Sequence, residues 1–420
     1  MHKEPTLESF VDFSPRNTFL DPQEGRRFEK ILKHEDKVEH KKNLTRWQKV
    51  RKALAITAAI MTPIAGANAV DVYQNYEFAA HADVGINYMA PPLDSANNDT
   101  ALFFFNGFNS YDAAPIIQTI GPAVQQGIDG QLVDVVYANA HLGADTYPGK
   151  SNQIGIDNVN GIADQIREYS DKHDIKNVVI VTYSMGCVPG TMTGENLTKD
   201  PETSTLVKAF IYISCPSDFD ALRNKTQNEV DFVKAVSPIP GAAYSTPIRL
   251  GGELYFLIQQ YEGGDLIRAI RHGDSLIKNA VADVQRQKAT GTWTIFDQAL
   301  LIDQANFKTR FQSIADNTSD SLTPLDVYVG TGKGGYDNVV NDKQSAKDIT
   351  HDAQAAHLPY LTYQVPNAVH AEPEMSKKEY RQTFTAAKVA IQQALGLQEE
   401  IYNVKQMRAL SQYPILRPQK

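Results

Sequence analysis

The chain has 420 residues, 42% of them hydrophobic, which suffices for one large domain with insertions or two ordinary ones around a sizeable core. Its 41 Lys and Arg stand against 49 Asp and Glu, a formal net charge of −8, which excludes a basic field for nucleic acid and favours a neutral or weakly polar substrate. Two cysteines exclude a disulfide scaffold, and no run of about 18 apolar residues is present to span a membrane.

Residues 1–70 are polar and charge-mixed, and are expected to stand apart from any catalytic core as an N-terminal arm. Arg46, Lys49, Arg51 and Lys52 precede the small apolar run Ala53 to Ala67, which closes on Ala67-Asn68-Ala69, an A-x-A pattern of the kind signal peptidases cut. This predicts export, periplasmic or secreted, with cleavage near Ala69. The charged lead is long for such a signal, so a loose arm on a cytoplasmic protein stands as the alternative. Asp71 to Asn98, with Pro91-Pro92 and Asn97-Asn98, reads as a loop.

From Thr100 onward strand and helix patterns alternate. Ala101 to Phe105 and Leu132 to Tyr137 are apolar runs of strand length, expected to be covered on both faces. Ile156, Val159, Ile162, Ile166 and Tyr169 recur at helical spacing and lead into a further strand, Asn177 to Thr182. Val207 to Ile213, Leu325 to Val329 and Pro359 to Val365 read as later strands, and Lys343 to Ala356 as a helix. The C-terminal helix carries a capping box at Ser376 and Glu379, an apolar face from Tyr380 to Leu395, and a stop at Gly396. Such alternation predicts an α/β fold with a mostly parallel central sheet flanked by helices.

Between Pro216 and Leu322 strand signals nearly vanish and helical ones dominate. The expected organisation is a core of 71–215 and 323–400, a helical insertion at 216–322 that is either a cap over a site or a packed subdomain, and a tail at 401–420.

The strongest local signal is Asn177 to Gly190, NVVIVTYSMGCVPG, where an apolar strand runs directly into Thr182-Tyr183-Ser184-Met185-Gly186. It resembles the G-x-S-x-G nucleophile elbow of the α/β-hydrolase superfamily, with Thr182 in place of the usual first glycine. The resemblance covers roughly residues 100–396 and implies the α/β-hydrolase fold, with Ser184 as nucleophile. Phe103 to Ser110 looks like that family's oxyanion loop, with Asn106 in place of its histidine, so the backbone N–H groups of Phe108 and Met185 are the implied oxyanion donors. Order along the chain points to His370, just after the last strand, as the base. The acid expected is Asp337, after the strand Leu325 to Val329, with Asp218 as the alternative.

Gly330 to Gly335 lacks the spacing of a phosphate loop, and no histidine or carboxylate spacing suggests a metal, so no metal and no cofactor are expected. Cys187 and Cys215 would lie near the ends of neighbouring strands. One bridge between them is open, and two buried free thiols are the plainer expectation. The resemblance implies a serine hydrolase acting on a small-molecule or lipid ester, esterase-like or lipase-like. The alternatives are a thioesterase or acyltransferase, and an inactive binding protein on the same fold.

Overall fold

The structure, a computed structural model, describes residues 71–76, 84–107, 110, 112–137, 153–236, 239, 241–252, 292–303, 305–318, 323–332, 337, 339–368, 370 and 373–395. The expected export signal, the middle of the insertion, Phe108, Gly396 and the 401–420 tail lie outside these described residues.

Seven strands build one sheet: β1 (Gly85–Ala90), β2 (Thr100–Phe105), β3 (Gln131–Val136), β4 (Asn177–Tyr183), β5 (Val207–Ile213), β6 (Leu325–Gly330) and β7 (Tyr360–Gln364). Their order across the sheet is β1-β3-β2-β4-β5-β6-β7, with β1 antiparallel and every other pairing parallel. The chain runs outward from β2 to β3 and returns to place β4 on the other side of β2. That reversal opens a crevice at the carboxyl ends of β2 and β4.

The period of two along each strand sorts its side chains to opposite faces. Phe103, Phe105, Ile180, Phe210 and Tyr212 face one way, against α2 (Gln153–His173), α3 (Cys187–Lys199), α6 (Phe307–Asn317) and α7 (Asp342–Ala355). Leu102, Phe104, Val179, Val181, Ile211 and Val327 face the other way, against α1 (Ala114–Gly127) and α8 (Lys377–Ala394). Covered on both sides, Phe103, Phe104 and Phe105 are at most 1% exposed, each worth about 2 to 3 kcal/mol of burial. Strand order and layering are those of the α/β-hydrolase fold.

Four expectations need correction. The supposed loop at Asp71 to Asn98 contains the edge strand β1 and a helical turn at 71–76. β1 is held by Asp134 on β3, whose carboxylate accepts from Asn87 Nδ2 at 3.3 Å and from the Ala113 N–H at the start of α1 at 2.8 Å. Ser376 does cap α8, but its side chain makes no capping hydrogen bond, so the capping box does not close. Cys187 and Cys215 are not free thiols; they form a disulfide, their Cα atoms 5.8 Å apart, joining the first turn of α3 to the loop after β5. The described part of the insertion is helical, with α4 (Asn224–Val236) and α5 (Thr292–Asp303), but α6 departs from a cap. Phe307, Phe311 and Ile314 of α6 belong to the core against the sheet.

Candidate active site

β4 ends at Tyr183, and the chain turns at once into a single 3-10 turn, Ser184–Gly186, and then α3. Ser184 takes φ +54, the left-handed region that costs a non-glycine residue free energy, so its hydroxyl is presented at the sheet's edge. The turn closes because Gly186 has no side chain. A Cβ there would clash with the carbonyl oxygens of Asn106 and Phe105, which are backbone and cannot give way. A Cβ on Gly107, at the end of β2, would lie 3.2 Å from that of Ser184, so the two strand ends that flank the crevice meet at the serine.

His370 Nε2 lies 2.8 Å from Ser184 Oγ, and its Nδ1 lies 2.8 Å from Asp337 Oδ2. The three residues are at most 7% exposed. Tyr183 braces the imidazole by donating its hydroxyl to the His370 backbone carbonyl, with the two rings 5.4 Å apart. Asp337 is gripped on every side. Its Oδ1 accepts the N–H groups of Val339 at 2.7 Å and Val340 at 3.0 Å, and its Oδ2 also accepts the Thr331 hydroxyl at 2.5 Å. Burial alone would raise this acid. The hydrogen bond and charge of His370, with the Thr331 and Val340 donors, outweigh it and hold the carboxyl below the usual aspartate range.

The loop bearing Asp337 is pinned from the insertion's entry. Leu222 bridges Val340, the Arg223 N–H donates to the Val339 carbonyl at 2.8 Å, and Arg223 Nε donates to the Asp337 backbone carbonyl at 3.1 Å. Met185, fully buried directly after the serine, packs in one cluster with Val230, Phe232 and Val233 of α4 and Ile302 of α5. Its N–H belongs to the first turn before α3, where helix geometry leaves backbone donors without intrahelical partners. Asn106, where the family loop has histidine, donates through Nδ2 to the Ser110 carbonyl at 3.0 Å and so ties the loop across itself. Phe108, within that loop, lies outside the described residues.

The sequence thus named the serine, histidine and first-choice acid that the structure brings together. Asp218, the alternative acid, is not part of the arrangement. Its carboxylate accepts the Ala221 N–H at 2.8 Å and caps a local turn. His351 is on the solvent side of α7 beside Asp352, and His357 is in the turn after that helix. Sequence reading missed Thr331 as a partner of Asp337, since a threonine after a strand carries no signal of its own. Among the described residues no group of acids, histidines or cysteines is clustered to hold a metal, and no helix is long and apolar enough to cross a membrane.

A serine hydroxyl, an imidazole and a buried carboxylate in one hydrogen-bonded line can move a proton off the serine as it attacks an electrophile. No known family profile and no curated protein matches this sequence. Among solved structures the chain is similar to a hydrolase from Oleispira antarctica (10% identity, TM-score 0.42, 76% of this chain and 97% of that one). It is similar also to a carboxylesterase structure from Nitrososphaera gargenis (12%, 0.42, 74% and 96%) and to proline iminopeptidase from Mycobacterium smegmatis (9%, 0.41, 75% and 95%). Likenesses at such identities and TM-scores carry no argument, and the fold stands on the strand order and the elbow.

Proposed function

We propose that this chain is a serine hydrolase that cleaves carboxylic esters through an acyl-enzyme on Ser184. The observation that carries the reading is the unbroken line Ser184, His370, Asp337, starting at a serine held in the left-handed region. His370 Nε2 takes the hydroxyl proton as Ser184 Oγ bonds to the ester carbonyl carbon. Charge on the carbonyl oxygen is met by the Met185 N–H and, by position in its loop, the Phe108 N–H. The imidazolium returns the proton to the departing alkoxide, the carbon-oxygen bond breaks, and the acyl group stays on Ser184. Water then attacks the acyl carbon with His370 again as base, which frees the acid and restores the serine. Asp337 keeps its charge throughout and fixes Nδ1–H, so that Nε2 is the nitrogen free to accept.

A cover over the site by the insertion's helices is supported by Val230, Phe232 and Ile302, which share one buried apolar cluster with Met185. Apolar walls there suit the acyl chain of a small-molecule or lipid ester. Export fits the same reading. The Cys187–Cys215 bond is of the kind that persists in oxidising compartments, and cleavage near Ala69 would remove the polar arm.

Labelling by a fluorophosphonate probe tests the chemistry. Wild type should label and Ser184→Ala should not, and a protein that never labels would reject the hydrolase. Turnover of p-nitrophenyl esters against acyl thioesters separates ester from thioester cleavage. An exported protein that still carries residues 1–69 would contradict the cleavage site.

A further inference from the structure

Behind Asp337 is a second buried carboxyl for which the hydrolytic scheme has no use. Asp342 opens α7. Its Oδ2 accepts the Thr331 backbone N–H at 2.7 Å, and its Oδ1 lies 2.8 Å from the Tyr328 hydroxyl. The Thr331 side chain stands between the two acids, with Oγ1 2.5 Å from Asp337 Oδ2 and 3.3 Å from Asp342 Oδ2, and with the Ser214 hydroxyl against it. Thr331 and Ser214 are fully buried.

A hydroxyl has one proton to give. The shorter contact assigns that of Thr331 to Asp337, whose two oxygens then accept from Thr331, His370, Val339 and Val340, a set that suits only the ionised form. Asp342 is provided for differently. Tyr328 can donate to Asp342 Oδ1 at 2.8 Å or to the Cys215 carbonyl at 3.1 Å. When Asp342 is ionised, Tyr328 donates to it. When Asp342 is neutral, its own proton on Oδ1 goes to the Tyr328 oxygen, and Tyr328 turns to the Cys215 carbonyl. The neutral state leaves each of these groups a partner, whereas the ionised state draws the Tyr328 proton away from the buried Cys215 carbonyl, so the surroundings accept a neutral Asp342 at no hydrogen-bonding cost.

We propose that Thr331 is a positioning residue for Asp337, and that Asp342 behind it is an acid whose ionisation adds a second negative charge that strengthens the imidazole's hold on its proton. The proposal rests on the hydrolase reading of Ser184 and His370. Burial first, and the Asp337 charge second, push the Asp342 carboxyl up to about 7, so that it ionises near neutrality. The groups facing it are Asp337 on its loop, His370 after β7, Tyr328 on β6, Tyr183 on β4 and Tyr380 on α8. Arg223 stands against the Asp337 backbone carbonyl. Burial raises all three phenols far above neutrality, so they stay uncharged, and the two acids and the imidazole form the coupled set.

The test follows the His370 imidazole by nitrogen NMR as pH is varied, beside the pH profile of kcat/KM for a p-nitrophenyl ester. Asp342→Asn keeps the shape of the neutral acid and cannot ionise. It should move the imidazole midpoint and the acidic limb of the profile together to lower pH, by about one unit for a charge removed at this range. Thr331→Val should lower kcat about tenfold with KM little altered, and Thr331→Ser, which restores the hydroxyl, should recover it. Coincident imidazole midpoints in wild type and Asp342→Asn would overturn the role of Asp342, and Thr331→Ser as impaired as Thr331→Val would overturn that of Thr331. An imidazole that responds to Asp342→Asn in a protein no ester or fluorophosphonate touches would sink the hydrolase and leave the two-acid unit standing.

Discussion

A Cβ on Gly190 would stand 2.5 Å from the Cγ2 methyl of Thr182, so the helix gives up a side chain where the strand keeps a branched one. In the elbow that this turn resembles, the small residue sits on the strand, two before the serine. Here the need for close approach of helix and strand has moved one helical turn along, and Thr182 uses its place to donate Oγ1 to the Ile211 carbonyl at 3.2 Å. Gly190→Ala should therefore destabilise the fold by about 1 to 3 kcal/mol through overpacking, with Thr182→Ala recovering most of that loss. Chemical denaturation of the two single variants and the double variant measures the coupling. Strictly additive losses would show that the pair does not interact.

Ser184, His370 and Asp337 form one line of protons, and their deletions should behave as one. Ser184→Ala and His370→Ala are each expected to lower kcat by about 10⁴ to 10⁶-fold, with the double variant no worse than the worse single. Asp337→Asn should cost about 10⁴-fold by favouring the wrong imidazole tautomer. Asp218→Asn, whose target caps a turn away from the imidazole, should stay within about threefold of wild type in kcat/KM. Independent, multiplying effects of the serine and histidine substitutions would contradict a shared proton path.

The parts of the fold written in buried apolar runs were legible. Val207–Ile213 was bounded to the residue, and β2, β4, β6 and α2 lay close to their expected limits, because strands covered on both faces declare themselves by continuous hydrophobicity. β1 was not legible. It is a sheet edge with Asn87 and Tyr88 exposed, fixed by its antiparallel ladder with β3 and by the Asp134 carboxylate 47 positions from Asn87. α1 was obscured by Pro115, Gly121 and Pro122. These read as breakers, yet Gly121 is there because a side chain would meet Leu132 Cδ1 at 2.9 Å. The triad could be named from order along the chain, since each member follows a strand that ends at the same edge. Thr331, Asp342 and the disulfide depend on which loops meet above that edge, a relation that no local pattern encodes.

The Cys187–Cys215 bond, spanning 28 positions, closes a loop that holds the whole of α3 and β5, and it begins three residues after Ser184. Closing a loop of that length stabilises a chain by roughly 3.5 kcal/mol through the entropy of the unfolded state. Cys187→Ala with Cys215→Ala should lower the denaturant midpoint accordingly. The same substitutions free the first turn of α3, so thermal loss of any p-nitrophenyl ester turnover should come earlier than loss of secondary structure. Identical midpoints with and without the bond would show that the loop is already ordered in the unfolded chain.

Asp326 lies in the middle layer of the protein on β6, opposite Phe210 of β5, 2% exposed and with no hydrogen-bond partner for either carboxylate oxygen among the described residues. Burial holds this acid well above its ordinary range. In the unfolded chain it releases its proton near pH 3.9, whereas the folded chain keeps it. Each pH unit above that value therefore removes about 1.4 kcal/mol of stability until the folded group ionises in turn. Asp326→Asn has no proton to lose. Its melting temperature relative to wild type should rise as the pH is raised above about 4, with the advantage present at high pH and gone at low pH. Melting curves of the two proteins that stay parallel across that range would mean that Asp326 finds a compensating partner when it ionises.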